Sequence, residues 1–418
     1  MRQMREVGDL FVPITKAVPK IFWVIAAISG LRFRIIGDIY LGEIISLLIL
    51  LDNTLAVKRR VSSTSKFDIL AYIWISFQIV SNLINHTSIT KSIVVVGTAC
   101  ITIIIIKAFL ILHRRGYSGV QILMFVFLGQ AIAGILQPKD YGLVNGWKFQ
   151  YGYFLGAFIV LLLIRRGNIK LAQLSLIGLT VISLSNSARS LASFFLISFM
   201  FSISSTIVSG RSKQFSRAVF RLLIMICVLV SIYASYLLAA KAGYLGVKEI
   251  ARANHLTTTI YGPLVGRSEV FYSLQAIQKK PFLGYGGEPE VGTDFLLQIS
   301  TNLNEQGIRN VGGGDHVPDS LPMHSILLST AIFAGLPAAI FWLFGLIQST
   351  RFIQYFQYMA RRERIPIVLI SISQLWNILF SPYGALLRLS ISSSLVFLYI
   401  QYSERDLNLM HQEGYSFK

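Results

Sequence analysis

Three short stretches of this 418-residue sequence set side chains able to handle charge and protons against an otherwise apolar background. The first, Ser185-Asn186-Ser187-Ala188-Arg189-Ser190, is a polar knot between two long apolar runs. Its arginine suits either snorkelling toward an interface or holding an anion. In the second, Arg267 to Gly287, the positions Val270, Phe271, Leu274 and Ile277 recur at helical spacing. That spacing predicts an amphipathic helix over 267–280, stopped by Pro281 and too short to span a bilayer. Arg267 stands at its N-terminus, where the macrodipole disfavours a cation unless an anion is also present. Guanidinium and free backbone amides together suit a phosphate; pairing with Glu269 or with solvent is the plain alternative. In the third stretch, Pro322-Met323-His324-Ser325-Ile326-Leu327-Leu328, His324 falls on one helical face with Leu328, Ala331 and Gly335. The stripe narrows toward Gly335, where a neighbouring helix can approach. The imidazole either caps the helix start or serves as a general base near neutral pH.

The elements that position these groups follow from composition. The chain is 54% hydrophobic and only 14% charged, with a mean hydropathy of +0.63. A soluble two-layer fold is excluded. Apolar runs fall at about 17–31, 37–55, 67–84, 92–112, 118–136 and 149–164. A second set falls at about 169–186, 190–208, 219–240, 323–349, 365–381 and 385–401. These predict an all-α integral membrane protein of about 12 transmembrane helices, since lipid offers no partner for unpaired backbone groups. The organisation expected is nine helices over residues 1–240, one large loop with an amphipathic helix over 241–322, and three helices with a tail over 323–418. No cleavage site follows the basic N-terminal segment, so its apolar stretch reads as a retained first span.

The sequence carries 38 Lys and Arg against 19 Asp and Glu, a formal charge of +19. If the N-terminus is cytoplasmic, inner segments and termini hold 23 of those 38, among them Lys58-Arg59-Arg60, Arg114-Arg115, Arg165-Arg166 and Arg361-Arg362. Outer connections other than the long insert hold only Arg32, Arg34, Lys91, Lys139, Lys148, Arg189 and Arg388. Both termini are thus expected in the cytoplasm, with the insert on the far side of the membrane. The insert has seven Lys/Arg against eight Asp/Glu and is close to neutral. Positive charge here is a topology signal, and no nucleic-acid partner is expected. Cys100 and Cys227 sit in apolar runs, which argues against a disulfide or thiolate metal site. Asp315-His316 and Asp319 match no familiar metal spacing and follow a Gly312-Gly313-Gly314 run, so no metal is expected. His86, His113, His255 and His411 have no partners in view.

Taken together, these stretches resemble the O-antigen ligase and O-antigen/exopolysaccharide (Wzy-type) polymerase superfamily of bacterial membrane glycosyltransferases. The points of resemblance are about twelve spans around one long outer loop, Arg267 running on to Pro281-Phe282-Leu283-Gly284-Tyr285-Gly286, and His324-Ser325 with Leu328 and Gly335 at the loop's end. Arg189 at the junction before its helix also fits. The topology covers the whole chain and the motifs about 100 residues. The chain departs from the commonest pattern in having Ser325 where Asn is usual and Pro337 where a Gly often follows, and Ser325 looks more like polymerase members than ligases.

The resemblance implies a GT-C-like fold whose large extracytoplasmic loop lies between helices 9 and 10, in the bacterial inner membrane with the site facing the periplasm. It implies a polymerase that transfers an undecaprenyl-pyrophosphate-linked glycan to an acceptor sugar hydroxyl, inverting the anomeric centre without metal or other cofactor. Arg189 and Arg267 would bind the pyrophosphate and His324 would take the acceptor proton. Glu269, Asp315 or Asp319 is the alternative base. Expected partners are the lipid-linked donor and acceptor and membrane lipid, and a chain-length regulator is a further partner the resemblance allows. A ligase moving glycan to lipid A-core is the alternative activity. A lipid-linked sugar transporter or flippase is the alternative class, although no repeat or interrupted helix is visible in the sequence.

Overall fold

A computed structural model describes residues 20–34, 37–56, 66–204, 269–287, 291–305, 323–356 and 359–412, besides a few isolated positions. The described residues are all-α apart from one small hairpin. Helices α1 (Lys20–Ser29) and α2 (Leu41–Ala56) flank antiparallel strands β1 (Arg32–Arg34) and β2 (Asp38–Tyr40). Then come α3 (Lys66–Ile84), α4 (Ile89–Arg114), α5 (Gly119–Leu136), α6 (Asp140–Gly146), a π-helical turn at Trp147–Tyr151, and α7 (Gly152–Arg165). They are followed by α8 (Ile169–Ser185), α9 (Arg189–Ser204), and the loop helices α10 (Glu269–Lys279) and α11 (Thr293–Glu305). The chain closes with α12 (Ile326–Ala334), α13 (Leu336–Thr350), α14 (Phe352–Tyr355), α15 (Arg361–Phe380) and α16 (Ala385–Gln412).

Among the described residues seven helical segments are long and apolar enough to cross a bilayer: Phe67–Ile84, Ile89–Arg114, Gly119–Leu136, Gly142–Arg165, Leu336–Tyr355, Arg362–Phe380 and Ala385–Ser403. This is a multi-pass membrane protein. The count differs from the twelve expected for identifiable reasons. The first two runs meet the limits of the described residues, α1 beginning at Lys20 and α2 ending at Ala56. The run near 169 forms an apolar helix of 17 residues, α9 ends at Ser204 where the described residues stop, and most of the run at 219–240 lies outside them. The run at 323–349 is not one helix: it breaks at Gly335, where φ is 85°.

The connections meet at two chemically distinct ends. At one end Lys139 pairs with Asp38 at 2.7 Å and Asn145 donates to the Asn186 carbonyl at 2.8 Å. Lys280 donates to Asn85 there, also at 2.8 Å. At the opposite end Arg115 pairs with Asp52, Arg405 pairs with Glu363, and Arg165 and Arg362 line one cavity. The described connections that the charge count assigns to the cytoplasm gather at this second end.

Inside the bundle, Arg388 and Glu43 form an ion pair that is almost wholly buried. Nε of Arg388 donates to Oε1 at 2.7 Å and Nη2 to Oε2 at 3.0 Å. Nη2 also reaches the Asp38 carbonyl at 2.6 Å and Nη1 the Thr98 hydroxyl at 3.3 Å, while the Tyr40 amide donates to Glu43 at 3.0 Å. Arg388, expected in an outer connection, instead ties α16 to the hairpin, α2 and α4. A charge in this setting persists only when paired and fully hydrogen-bonded.

The loop helices form a smaller apolar cluster with α12. Tyr272, Ala276 and Ile277 of α10 and Leu296, Ile299 and Leu303 of α11 pack against Ala331 and Ile332. The buried face of α10 is Tyr272, Ser273, Ala276 and Ile277, and Leu274 is exposed. Of the expected face of Val270, Phe271, Leu274 and Ile277, Ile277 is buried and Phe271 packs on the cluster, while Leu274 turns outward and small residues at 273 and 276 let α10 lie close to α12.

The turn after α10 closes against the break in the re-entering helix. The Tyr285 amide donates to the Ile332 carbonyl at 2.8 Å and Gly286 to Phe333 at 3.0 Å, while Leu336 donates back to Pro281 at 2.8 Å. A helix C-terminus leaves carbonyls without partners, and the turn supplies the missing donors. Gly335 is required twice over: its φ is 85°, and a Cβ there would lie 1.9 Å from the Phe282 carbonyl oxygen. The docked turn is also held from below. Ser81 Oγ donates to the Phe333 carbonyl at 2.7 Å, and Gly287 donates to Thr87 at 3.3 Å.

Two stability outcomes follow from these contacts. Gly335→Ala should lower the apparent unfolding temperature in detergent by several degrees, the positive φ alone costing about 1–3 kcal/mol. Gly178→Ala, on α8 with open space around its Cβ, should leave that temperature unchanged, and equal shifts would contradict the docking argument. Arg388→Ala should cost about 3–5 kcal/mol by stranding Glu43, and the Arg388→Ala/Glu43→Ala double variant should cost less than the two single losses added.

Candidate functional site

The loop end of α12 is built by Ser325. Its backbone is extended, with φ −140° and ψ 127°, and its Oγ accepts from the Leu328 amide at 3.2 Å while donating to the Ile378 carbonyl at 3.1 Å. That N-cap fixes the helix start at Ile326 and ties it to the end of α15. His324 consequently lies outside the helix and is exposed. The expected stripe of 324, 328, 331 and 335 is thereby corrected at both ends, by the Ser325 cap and by the left-handed Gly335. Leu328 and Ala331, inside α12, keep their helical relation.

His324 meets the start of α10 across a narrow cleft. Its walls are Glu269, Val270 and Ser273 of α10, His324, Ser325 and Leu328, and Phe380 at the end of α15. Its volume of about 10 Å³ has room for roughly one water molecule or one hydroxyl group. Glu269 and Ser273 are one helical turn apart, so both face the same opening. Oε2 of Glu269 is buried, and among the described residues no donor reaches it. A carboxylate oxygen without a partner is costly, and such positions are where a structure awaits a water or a ligand.

The remaining sequence-derived residues are placed as follows. Arg189 begins α9 and is half-buried. Phe194 of α9 meets Trp376 of α15, with ring centroids 5.9 Å apart, and Trp376 contacts Phe380 at 4.9 Å. Farther along, Phe201 meets Phe352 and Phe356 at the opposite end. The two helices therefore run antiparallel, with Arg189 at the same end of the bundle as Phe380 and the cleft. Arg267 lies outside the described residues, two positions before Glu269, as do Asp315, His316 and Asp319. Among the described residues no three His, Cys, Asp or Glu side chains are grouped to hold a metal ion.

The chemistry available at the cleft is proton transfer and hydroxyl binding, with a carboxylate and an imidazole on facing walls. Missing from the sequence reading were Ser273 and Phe380, and the seat made by Ser81, Asn85 and Thr87 beneath the turn. The polar run Asn85-His86-Thr87-Ser88 between two apolar helices was the available signal for that seat. Tyr272 lies on α10 and Tyr285 in the turn after it, and burial pushes both phenols up from their ordinary range. Tyr285 uses its hydroxyl to reach the Ala276 carbonyl at 3.2 Å, bracing the turn against α10. Comparison of the chain with family models, with curated proteins and with solved structures finds no match in any of the three.

Proposed function

We propose that this protein is a GT-C-type membrane glycosyltransferase that polymerises lipid-pyrophosphate-linked glycan units into an O-antigen or exopolysaccharide chain at the outer face of the bacterial inner membrane. One observation carries the reading: two stretches some 50 residues apart in sequence, the helix that follows Arg267 and the His324-Ser325 segment, form the two walls of a single cleft. The turn that ends the first, Pro281 to Gly286, is seated in the break at Gly335. Twelve spans with both termini cytoplasmic, and a site on the periplasmic side, complete the proposed topology.

In the proposed reaction, Arg189 and Arg267 hold the donor's pyrophosphate and offset the charge that grows as the anomeric bond breaks. The acceptor hydroxyl enters the cleft, loses its proton to His324, and attacks opposite the leaving group, inverting the anomeric centre. Glu269 is the second candidate base, because its buried oxygen faces the same opening. The undecaprenyl pyrophosphate leaves with the bonding electrons. The arginines neutralise the phosphates, so no divalent metal is required. A chain-length regulator would act on this product from outside the chain.

The transporter reading gains one observation, since the helix over 326–350 is interrupted, as transporter helices are. At a transport site, however, the freed backbone groups face a cavity. Here the carbonyls of Ile332 and Phe333 are already taken by the turn, which favours a docking role.

Purified protein given lipid-linked repeat units alone should lengthen them. Elongation that requires added lipid A-core would point to the ligase, and no transfer with either acceptor would remove the enzymatic reading. His324→Gln and Arg267→Ala should each lower turnover by ~10²–10⁴-fold at unchanged membrane levels. Glu269→Gln separates the bases: if Glu269 only positions the acceptor, the pH-rate limb assigned to His324 persists in that variant. EDTA should leave turnover intact; loss on chelation with recovery on magnesium would contradict the metal-free mechanism.

A further inference from the structure

An apolar cavity of about 280 Å³ lies between α1 and α2 on one side and α4 and α5 on the other. Helices α4 and α5 are among the segments long and apolar enough to cross a bilayer, so the cavity sits at membrane depth. Its shape follows from the hairpin that joins α1 to α2. At the hairpin end the two helices touch: a Cβ on Gly42 would lie 3.0 Å from the Ser29 carbonyl oxygen and 3.0 Å from Leu389 of α16. Farther from the hairpin, Phe22 and Ile25 of α1 and Ile45 and Ile49 of α2 line open space. There α1 rests on Phe125 of α5 through Phe22 and Trp23, whereas α2 rests on α4. The cavity is therefore a wedge, closed near Gly42 and widening toward Arg115 and Tyr117 at the basic end. From Gly42 to Ile49 its wall runs roughly 10 Å by helical rise, which stays within one half of a hydrocarbon core about 30 Å thick.

The chemistry of the wall selects the occupant. Ser29 Oγ donates to the Ala26 carbonyl at 2.8 Å and Ser46 Oγ to the Gly42 carbonyl at 2.7 Å, so both serine hydroxyls are spent within their own helices. Water in the narrow end lacks the polar partners that would hold it. At the wide end Arg115 pairs with Asp52 at 2.7 Å, and the pair carries no net charge to draw an anion. On both helices the wall lies beside a stripe of exposed apolar residues, Ile21, Val24 and Ile28 on α1 and Ile44, Leu48 and Leu51 on α2. The wedge is thus continuous with surface that faces lipid, and left unfilled it forfeits the dispersion contacts of its lining.

We infer that this wedge holds one acyl chain of a membrane phospholipid, with the headgroup at the Arg115 end and the methyl end toward Gly42. Its volume is close to the lower limit of ligand pockets, roughly 300–1,000 Å³, which suits a single chain. The inference does not rest on the transferase reading, whose lipid-linked donor has its headgroup at the opposite end of the bundle. Because the pair at the mouth is neutral, the chain is selected and the headgroup is not.

Native mass spectrometry of the full-length protein, stripped of lipid in detergent and given equal amounts of dipalmitoylphosphatidylcholine and dipalmitoylphosphatidylglycerol, tests it. The wild type should retain phospholipid, and failure to retain any would overturn the site without recourse to a variant. Ile49→Trp fills the wedge and should lower retention about tenfold, the weight of roughly two methylenes no longer buried. Leu48→Trp, on the exposed stripe, should not, and the loss at position 49 should be the same for both headgroups. Ile49→Ala keeps the wedge open and should retain the lipid. A loss in Ile49→Ala or Leu48→Trp as large as that in Ile49→Trp, or a loss confined to phosphatidylglycerol, would overturn the assignment. Displacement of the phospholipid by equimolar undecaprenyl phosphate would make the wedge a polyprenyl site and overturn the acyl-chain reading.

Discussion

A helix interrupted inside a membrane protein frees backbone carbonyls that no lipid can satisfy. In this protein that constraint falls at Gly335, and the answer to it is the turn after α10, whose amides cap Ile332 and Phe333 while Leu336 donates back to Pro281. The polar loop cannot drift from the bundle without uncovering those carbonyls, and the break cannot persist without the loop. Because α10 leads directly into the turn, fixing the turn also fixes Glu269 and Ser273 against His324. The placement of the candidate chemistry is thus a consequence of backbone hydrogen-bond closure. Side-chain packing by Tyr272, Ala276 and Ile277 then sets how closely α10 approaches.

The same rule governs the interior. Ser390, Ser392, Ser393 and Ser394 of α16 and Ser371, Ser373 and Gln374 of α15 are all buried. Small polar residues let helices approach and bond across their interfaces where hydrophobicity gives no preference between lipid and protein. Tyr153 on α7 bonds Ser373, and Tyr383 bonds Thr102 of α4. The Arg388–Glu43 pair is the charged extreme of this pattern. It gathers one end of α16, the hairpin, α2 and α4 around a single guanidinium.

How much of this was legible in the sequence depended on what kind of signal each element carries. Long apolar runs are their own signal: Phe67–Ile84, Ile89–Arg114, Gly119–Leu136 and Ala385–Ser403 fall close to where hydropathy puts them. The Gly335 break was invisible to it, since Leu336, Pro337 and their neighbours continue an apolar run, and only the partner turn some 50 residues earlier makes a left-handed residue there affordable. His324 was legible as a candidate, whereas its position outside α12 depended on the Ser325 cap reaching Ile378 on another helix. Periodicity placed α10 correctly and its buried face in part: Ile277 is buried and Phe271 packs on the cluster, while Leu274 is exposed because the small residues Ser273 and Ala276 take the contact with α12. Arg388 read as an interfacial charge because its counter-ion lies 345 positions away.

The size of the cleft constrains the proposed chemistry further. A space of about 10 Å³ admits one hydroxyl and excludes a sugar ring. On the proposed reading, the acceptor ring must therefore stay outside, with only its nucleophilic oxygen between Glu269 and His324. On the same reading the lipid-linked donor would approach from the Arg189 side. Such a site binds little of the acceptor in the ground state, so its rate advantage must come from orientation and proton removal at one oxygen. The Glu269 oxygen that no described residue reaches fits that division: on the proposed reading it takes a hydrogen bond from the entering hydroxyl, which favours a donor group over an apolar one. On the proposed reading, selection for an acceptor hydroxyl is built into a buried acceptor atom, and recognition of the rest of the glycan falls to the surface around it.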